Sequence, residues 1–206
     1  MDKCSERQII ILDLGWGNIN ALRYFLLKLG HTVKVQNLAT YLNSLESNNY
    51  IFIPGIGSAK EISKIDTYFF SKIKERFSNE KCIFGICLGM QFLCNNLYEA
   101  NVKGLNLFNL DVTKVICGDF EKANIGYRSL ENETKSPRLF YFCHSYGVLI
   151  NHNESSALEI VSYRNKIPSE FKYAAIIKKG NLVGLQFHPE KSGIEGLSLI
   201  RSLMNE

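Results

Sequence analysis

The chain has 206 residues, 46% of them apolar and 21% charged, with a net charge of +4. That is the profile of a folded domain able to bury a core without metal or disulfide staples. No block of five like charges supports nucleic-acid binding, and no apolar run approaches the roughly 20 residues that span a bilayer. The six cysteines, at 4, 82, 87, 94, 117 and 143, include no Cys-x-x-Cys pair. They read as reduced thiols of a cytoplasmic protein rather than a disulfide framework or zinc site, and no metal or other cofactor is expected.

Residues 8–14 form a continuous apolar run of strand length, as expected for a strand buried on both faces of a parallel sheet. Gly15-Trp16-Gly17-Asn18 ends it. A helix follows, with Leu22, Phe25, Leu26 and Leu29 at helical spacing and Gly30 as its stop. Further strands are predicted at residues 32–35, at 50–53 running into Pro54-Gly55-Ile56-Gly57, and at 81–84. The last of these leads through Gly85-Ile86-Cys87-Leu88-Gly89-Met90 into a helix-like segment over 91–97. This alternation argues for an open α/β sheet. After Gly104 strand-like stretches follow one another (111–116, 139–143, 157–163, 173–177, 182–187), which suggests antiparallel additions, and residues 194–204 close the chain as a helix. The expectation is one α/β domain over 1–206, an open, mixed, mostly parallel sheet flanked by helices.

Gly85-x-Cys87-x-Gly89 at a strand-to-helix junction is the thiol version of the nucleophile elbow. Glycine is needed on both sides because strand and helix approach too closely for a β-carbon, and the helix N-terminus favours a thiolate. A buried structural cysteine is the plain alternative. A nucleophilic cysteine needs a base, and the base an orienting acceptor. His31 and His152 read as surface residues. His188 instead begins His188-Pro189-Glu190 directly after a predicted strand, and in open α/β sheets sites gather at the carboxyl ends of strands. Cys87 and His188 can therefore share a crevice across 101 positions, with Glu190 holding one ring nitrogen. The alternative is a surface turn. Pro54-Gly55-Ile56-Gly57 ends a third strand and offers backbone amides that, with that of Leu88, could hold an oxyanion. As a motif it is weak, and Gly15-Trp16-Gly17 lacks the third glycine of a nucleotide fingerprint, Asn20 standing in its place.

Residues 85–91 together with His188-Pro189-Glu190 resemble the class I (triad) glutamine amidotransferases, whose fold is flavodoxin-like. Residues 11–19, 141–146 and 186–192 are similar to one branch, the glutaminase subunits of imidazole glycerol phosphate synthase. The resemblance runs from about residue 10 to 203. It implies Cys87, His188 and Glu190 as the triad, and an oxyanion hole from the amides of Ile56 and Leu88 with Gly55 and Gly57 beside them. It also implies glutamine held by Gln91 and by the backbone around His144, Ser145 and Tyr146. The partner it implies is a (β/α)8-barrel synthase in a heterodimer, reached by ammonia without entering bulk water, with imidazole glycerol phosphate and AICAR as products. Asn18 and Lys191 would face that partner. Taken singly, Gln91 reads as a polar residue in the first turn of a helix and His144 as a satisfied core histidine. One stretch departs: the family's Pro-His-x-Gly-Trp-Asn is here Ala123-Asn124-Ile125-Gly126-Tyr127-Arg128. That keeps a second reading open, the same chemistry serving a paralogous synthase that amidates a sugar for surface polysaccharide. A stand-alone γ-glutamyl hydrolase or cysteine peptidase, and a silent regulatory subunit, are the remaining readings.

Overall fold

The computed structural model describes residues 8–117, 120–121, 123–131, 137–150, 158–163 and 171–205. Strands and helices alternate through the first half: β1 (Ile9–Asp13), α1 (Ile19–Leu27), β2 (Val33–Asn37), α2 (Leu38–Asn43), β3 (Tyr50–Ile53), α3 (Tyr68–Phe77), β4 (Cys82–Ile86) and α4 (Leu88–Leu93). Strands then dominate: β5 (Asn96–Leu97), β6 (Val102–Lys103), β7 (Val112–Lys114), β8 (Ile116–Cys117), β9 (Phe120–Glu121), β10 (Asn124–Arg128), β11 (Phe140–His144), β12 (Tyr146–Val148), β13 (Glu159–Ser162), β14 (Ala174–Lys179) and β15 (Leu182–Leu185). The 3-10 turn Pro189–Lys191 leads into α5 (Gly193–Asn205).

Among the described residues, seven strands form the main sheet in the order β13-β14-β15-β4-β3-β1-β2. The five from β15 to β2 are parallel, and β14 and β13 extend the edge antiparallel. Strands β3, β4 and β15, and β1 as far as Leu12, are buried at every position and carry no polar side chain because both faces are covered, whereas β2 at the sheet edge carries Lys34, Gln36 and Asn37. Ile9, Ile11, Phe52 and Phe84 pack on the α1 and α5 side with Phe25, Leu26 and Ile200. Ile10, Leu12, Ile51 and Ile83 pack on the opposite side with Tyr41, Ile73, Phe77 and Phe92. Phe52 and Phe84 stack across neighbouring strands with centroids 4.5 Å apart; burying side chains of this kind contributes about 1.5–3 kcal/mol each. A second sheet, β12-β7-β5-β6, and the pair β10-β11 lie beyond the main one.

The helix expected over 91–97 is displaced: it starts at Leu88, directly after Cys87, and ends at Leu93. Asp111 is the reason. Its Oδ1 accepts from Asn95 Nδ2 (3.2 Å), Asn96 N (3.1 Å) and Asn96 Nδ2 (2.9 Å), which draws the chain out of the helix and into β5. Helices α2 and α3 and strand β10 were not anticipated by the apolar pattern. His31 is half-buried, and His152 lies outside the described residues. No helix among the described residues is long and apolar enough to cross a membrane.

Candidate active site

Register brings three strand ends together. Ile53 pairs with Gly85 and Leu185 with Ile86, so Pro54–Gly57, Cys87 and Gln186–His188 leave adjacent strands at the same carboxyl edge. At the elbow, a β-carbon on Gly85 would meet Gly89 O at 2.7 Å and Met90 Cα at 2.8 Å, and one on Gly89 would collide with the Ile53 carbonyl. Gly55 is equally constrained, since its β-carbon would run into Gly89 N and stand 2.5 Å from Leu88 Cβ. These glycines let three backbones converge on the sulfur.

Cys87 itself carries φ 53° and ψ −108°, a conformation that a residue with a side chain rarely adopts. It is over-determined by its hydrogen bonds: its N–H donates to Leu185 O (2.7 Å) and its carbonyl accepts from Gln91 N (3.1 Å). The amides of Leu88 and its successors in the first turn of α4 have no acceptor within the helix. Cys82 and Cys94 are buried as well. Burial pushes the Cys82 thiol up to about 12 and raises that of Cys94, as for inert core cysteines.

His188 is 2% exposed and is held at the backbone, donating its N–H to Tyr141 O (2.8 Å). Ser192 Oγ donates to His188 O (2.7 Å) and accepts from Tyr141 N (3.0 Å), pinning the turn to β11. The ring nitrogen Nδ1 faces Glu190 Oε1 at 2.8 Å, and the ring also hydrogen-bonds the Cys87 thiol. Burial pulls the imidazole pKa down, but the hydrogen bonds and negative charges of Cys87 and Glu190 outweigh it and push it up to about 10. These partners favour the charged form of the imidazole. Glu190 Oε2 is buried and accepts no hydrogen bond from the described residues.

Across the crevice, Cys87 Sγ lies 4.0 Å from Cys143 O. Gln91, buried, donates from Nε2 to Tyr146 O at 3.0 Å. His144 is spent on internal bonds. Its Nδ1 lies 2.9 Å from Tyr146 O, a group that only accepts, so Nδ1 carries the proton and Nε2 accepts from Asn124 Nδ2 at 3.1 Å. Burial lowers its pKa to about 4, leaving a neutral ring. An arrangement of sulfur, imidazole and carboxylate beside free backbone amides suits nucleophilic attack on a carboxamide carbon.

Residues 10–203 match the family described as glutamine amidotransferase class-I. The chain belongs to that family. Among curated relatives of this amidotransferase, imidazole glycerol phosphate synthase subunit HisH of Oceanobacillus iheyensis is 35% identical, over 94% of this chain and 96% of the relative. The HisH subunit of Staphylococcus aureus is 32% identical over 94% of both chains. A crystal structure described as glutamine amidotransferase superposes with a TM-score of 0.69 at 17% identity, covering 96% of this chain and 97% of that one, which speaks to fold alone.

The amidotransferase fold thus gathers Cys87, His188, Glu190, Gln91 and the 144–146 turn around one crevice. Ile56, 40% exposed, and Gly57, at φ +105°, line an open groove of about 650 Å³ with Asn18, whose Oδ1 caps α1 by accepting from Ala21 N (3.0 Å). Gly55 is packed against the elbow, whereas Gly57 has open space and the glycine-type backbone. Ser145 is exposed, and its carbonyl accepts from Val115 N (2.8 Å). Lys191 is exposed, with Nζ 5.5 Å over the Tyr141 ring and its carbonyl accepting from Tyr127 O–H (3.2 Å). Sequence reasoning passed over Gln186, wholly buried with Nε2 3.7 Å from Cys87 Sγ. The available signal was a lone carboxamide between the apolar Leu185 and Phe187.

Proposed function

We propose that this chain is a glutaminase that hydrolyses L-glutamine to glutamate and ammonia as a subunit of an imidazole glycerol phosphate synthase. The ammonia passes to a (β/α)8-barrel synthase subunit in histidine biosynthesis, in the cytoplasm. The observation that carries the reaction is the Cys87–His188–Glu190 alignment at two adjacent strand ends. The synthase assignment rests on the likeness to the HisH subunits over nearly the whole chain.

In this reading the Cys87 thiol proton passes to His188, and the sulfur attacks the side-chain amide carbon of glutamine. The amides of Ile56 and Leu88, with Gly55 and Gly57 framing them, receive the charge that develops on oxygen. The protonated His188 gives its proton to the departing nitrogen as the C–N bond breaks, leaving a γ-glutamyl thioester. His188, neutral at that point, takes a proton from water as it attacks the thioester, and the thiol is regenerated as glutamate leaves. Glu190 keeps the imidazole oriented and charged. Gln91 and the backbone of residues 144–146 hold the α-amino and α-carboxylate groups, and Asn18 and Lys191 face the partner.

The test is glutamate release by Cys87→Ala, alone and with the synthase subunit supplied with its acceptor. A loss of at least about 10³-fold with an unchanged circular dichroism spectrum is expected, as for removal of a covalent nucleophile. Retained release would end the reading. Stimulation of the unsubstituted chain only by a synthase with a different acceptor would keep the triad and overturn the pathway.

A further inference from the structure

We propose that Gln186 is a positioning residue for the nucleophile, its side-chain amide donating to Cys87 Sγ and tying the sulfur through Gln91 to the 144–146 turn; this rests on Cys87 being the nucleophile. Gln186 is 0% exposed, one residue beyond β15, and its backbone N–H is anchored on Ala175 O at 2.9 Å. A carboxamide in an apolar strand end has to be paired, and this one meets two groups of the site: Cys87 Sγ at 3.7 Å and Gln91 Nε2 at 3.5 Å.

The direction of the chain follows from one backbone group. Tyr146 O can only accept, so the atom of Gln91 lying 3.0 Å from it is the NH2 group. That NH2 has a second hydrogen, which meets the carboxamide of Gln186. The facing atom of Gln186 must then be its oxygen, which turns its own NH2 toward the sulfur. A donor aimed at sulfur favours the thiolate, the stronger acceptor, over the thiol. His188 meets the sulfur as well. The nucleophile is therefore held by an imidazole whose proton the reaction consumes and by an amide whose protons it does not. Gln186 can keep the sulfur in place after His188 has given its proton to the leaving nitrogen.

The experiment is peptide-resolved alkylation of Cys87 by iodoacetamide in the full chain from about pH 5 to about pH 9, where thiolate and not thiol reacts. The exposed Cys143 serves as an internal control. In Gln186→Met the acid limb of Cys87 alkylation is expected to move up by about one pH unit, making the reaction about tenfold slower on that limb. Cys143 is expected to keep its wild-type profile. Gln186→Glu preserves size and the acceptor for Gln91 but sets a carboxylate beside the sulfur, so its limb moves further the same way; it serves if the methionine variant does not fold. An unshifted Cys87 profile in either folded variant overturns the proposal. Because alkylation requires no glutamine, this outcome is independent of Cys87→Ala: retained glutamate release there would end the functional reading without touching the alkylation result.

Discussion

His144 and His188 are both buried, and an antiparallel bridge between Tyr141 and His188 makes the strand that carries one a neighbour of the turn that carries the other. Burial acts on each ring in the same sense, against the charged form. Their partners differ. His144 gives its Nδ1 proton to a neutral carbonyl and takes a hydrogen bond from a neutral amide, while the positive charges of His188 and Arg128 add to the pull downward, and it settles at about 4. His188 has a carboxylate on Nδ1 and a sulfur beside it, and rises to about 10. The contrast teaches that a buried histidine is a base or a strut according to the charge of its hydrogen-bond partners, not its depth.

The largest test of this contrast is Glu190→Gln. It keeps the shape, removes the charge, and offers the ring a neutral partner like those of His144. Glutamate release is expected to fall by about 10⁴-fold, by comparison with the loss of the orienting carboxylate in a serine triad. Steady-state kinetics would check it, and a variant within tenfold of wild type would mean that Glu190 is not what charges His188. Stability against pH is the next test. His144, lowered from 6.5 to about 4, contributes stability that is complete above pH 6.5 and is lost as pH falls toward about 4, because the unfolded chain takes up the proton first. That limb is worth on the order of 3 kcal/mol. His188 has the opposite sign: its contribution is complete below pH 6.5 and is lost as pH rises through about 10. Urea midpoints should therefore fall on the acid side in the wild type and flatten there in His144→Gln. An unchanged acid limb in that variant would assign the slope to the carboxylates instead.

How much of this was legible beforehand follows the physics of each segment. β3 fell at residues 50–53 as expected, and β1 and β4 within about two residues at each end, because strands covered on both faces have no polar positions to blur them. Cys87 and His188 could be joined across 101 positions because a parallel sheet sends its carboxyl ends to one edge. Strand β10 stayed hidden: Ile125 and Tyr127 face outward, Gly126 sits at φ +110°, and only Asn124 is buried, so no apolar run or clean alternation marks it. Helix α3 buries Ile73 and Phe77 among charged neighbours, and Thr67 makes no side-chain cap bond to announce its start. The roles of Gln186 and Asn124 were hidden for a common reason: a buried amide is recognised by its partners, and those lie far along the chain, Cys87 for one and His144 for the other.

The finest test exchanges the partners of the two rings. Asn124 stands beside His144 Nε2 as Glu190 stands beside His188 Nδ1, at 3.1 Å and 2.8 Å, and differs from a carboxylate by one NH2 group. Asn124→Asp replaces a donor with an acceptor at nearly constant volume. Nδ1 must still donate to Tyr146 O, so Nε2 can satisfy the new carboxylate only by taking a proton, which makes the ring an imidazolium. Burial still opposes the charge and Arg128 still repels it, so the expected rise is smaller than that of His188, on the order of 1–2 kcal/mol in favour of the protonated ring. Imidazole nitrogen chemical shifts of His144, followed by NMR against pH, would read it directly. A His144 that still titrates near 4 with Asp at 124 would show that depth, and not the charge of the partner, separates the two histidines.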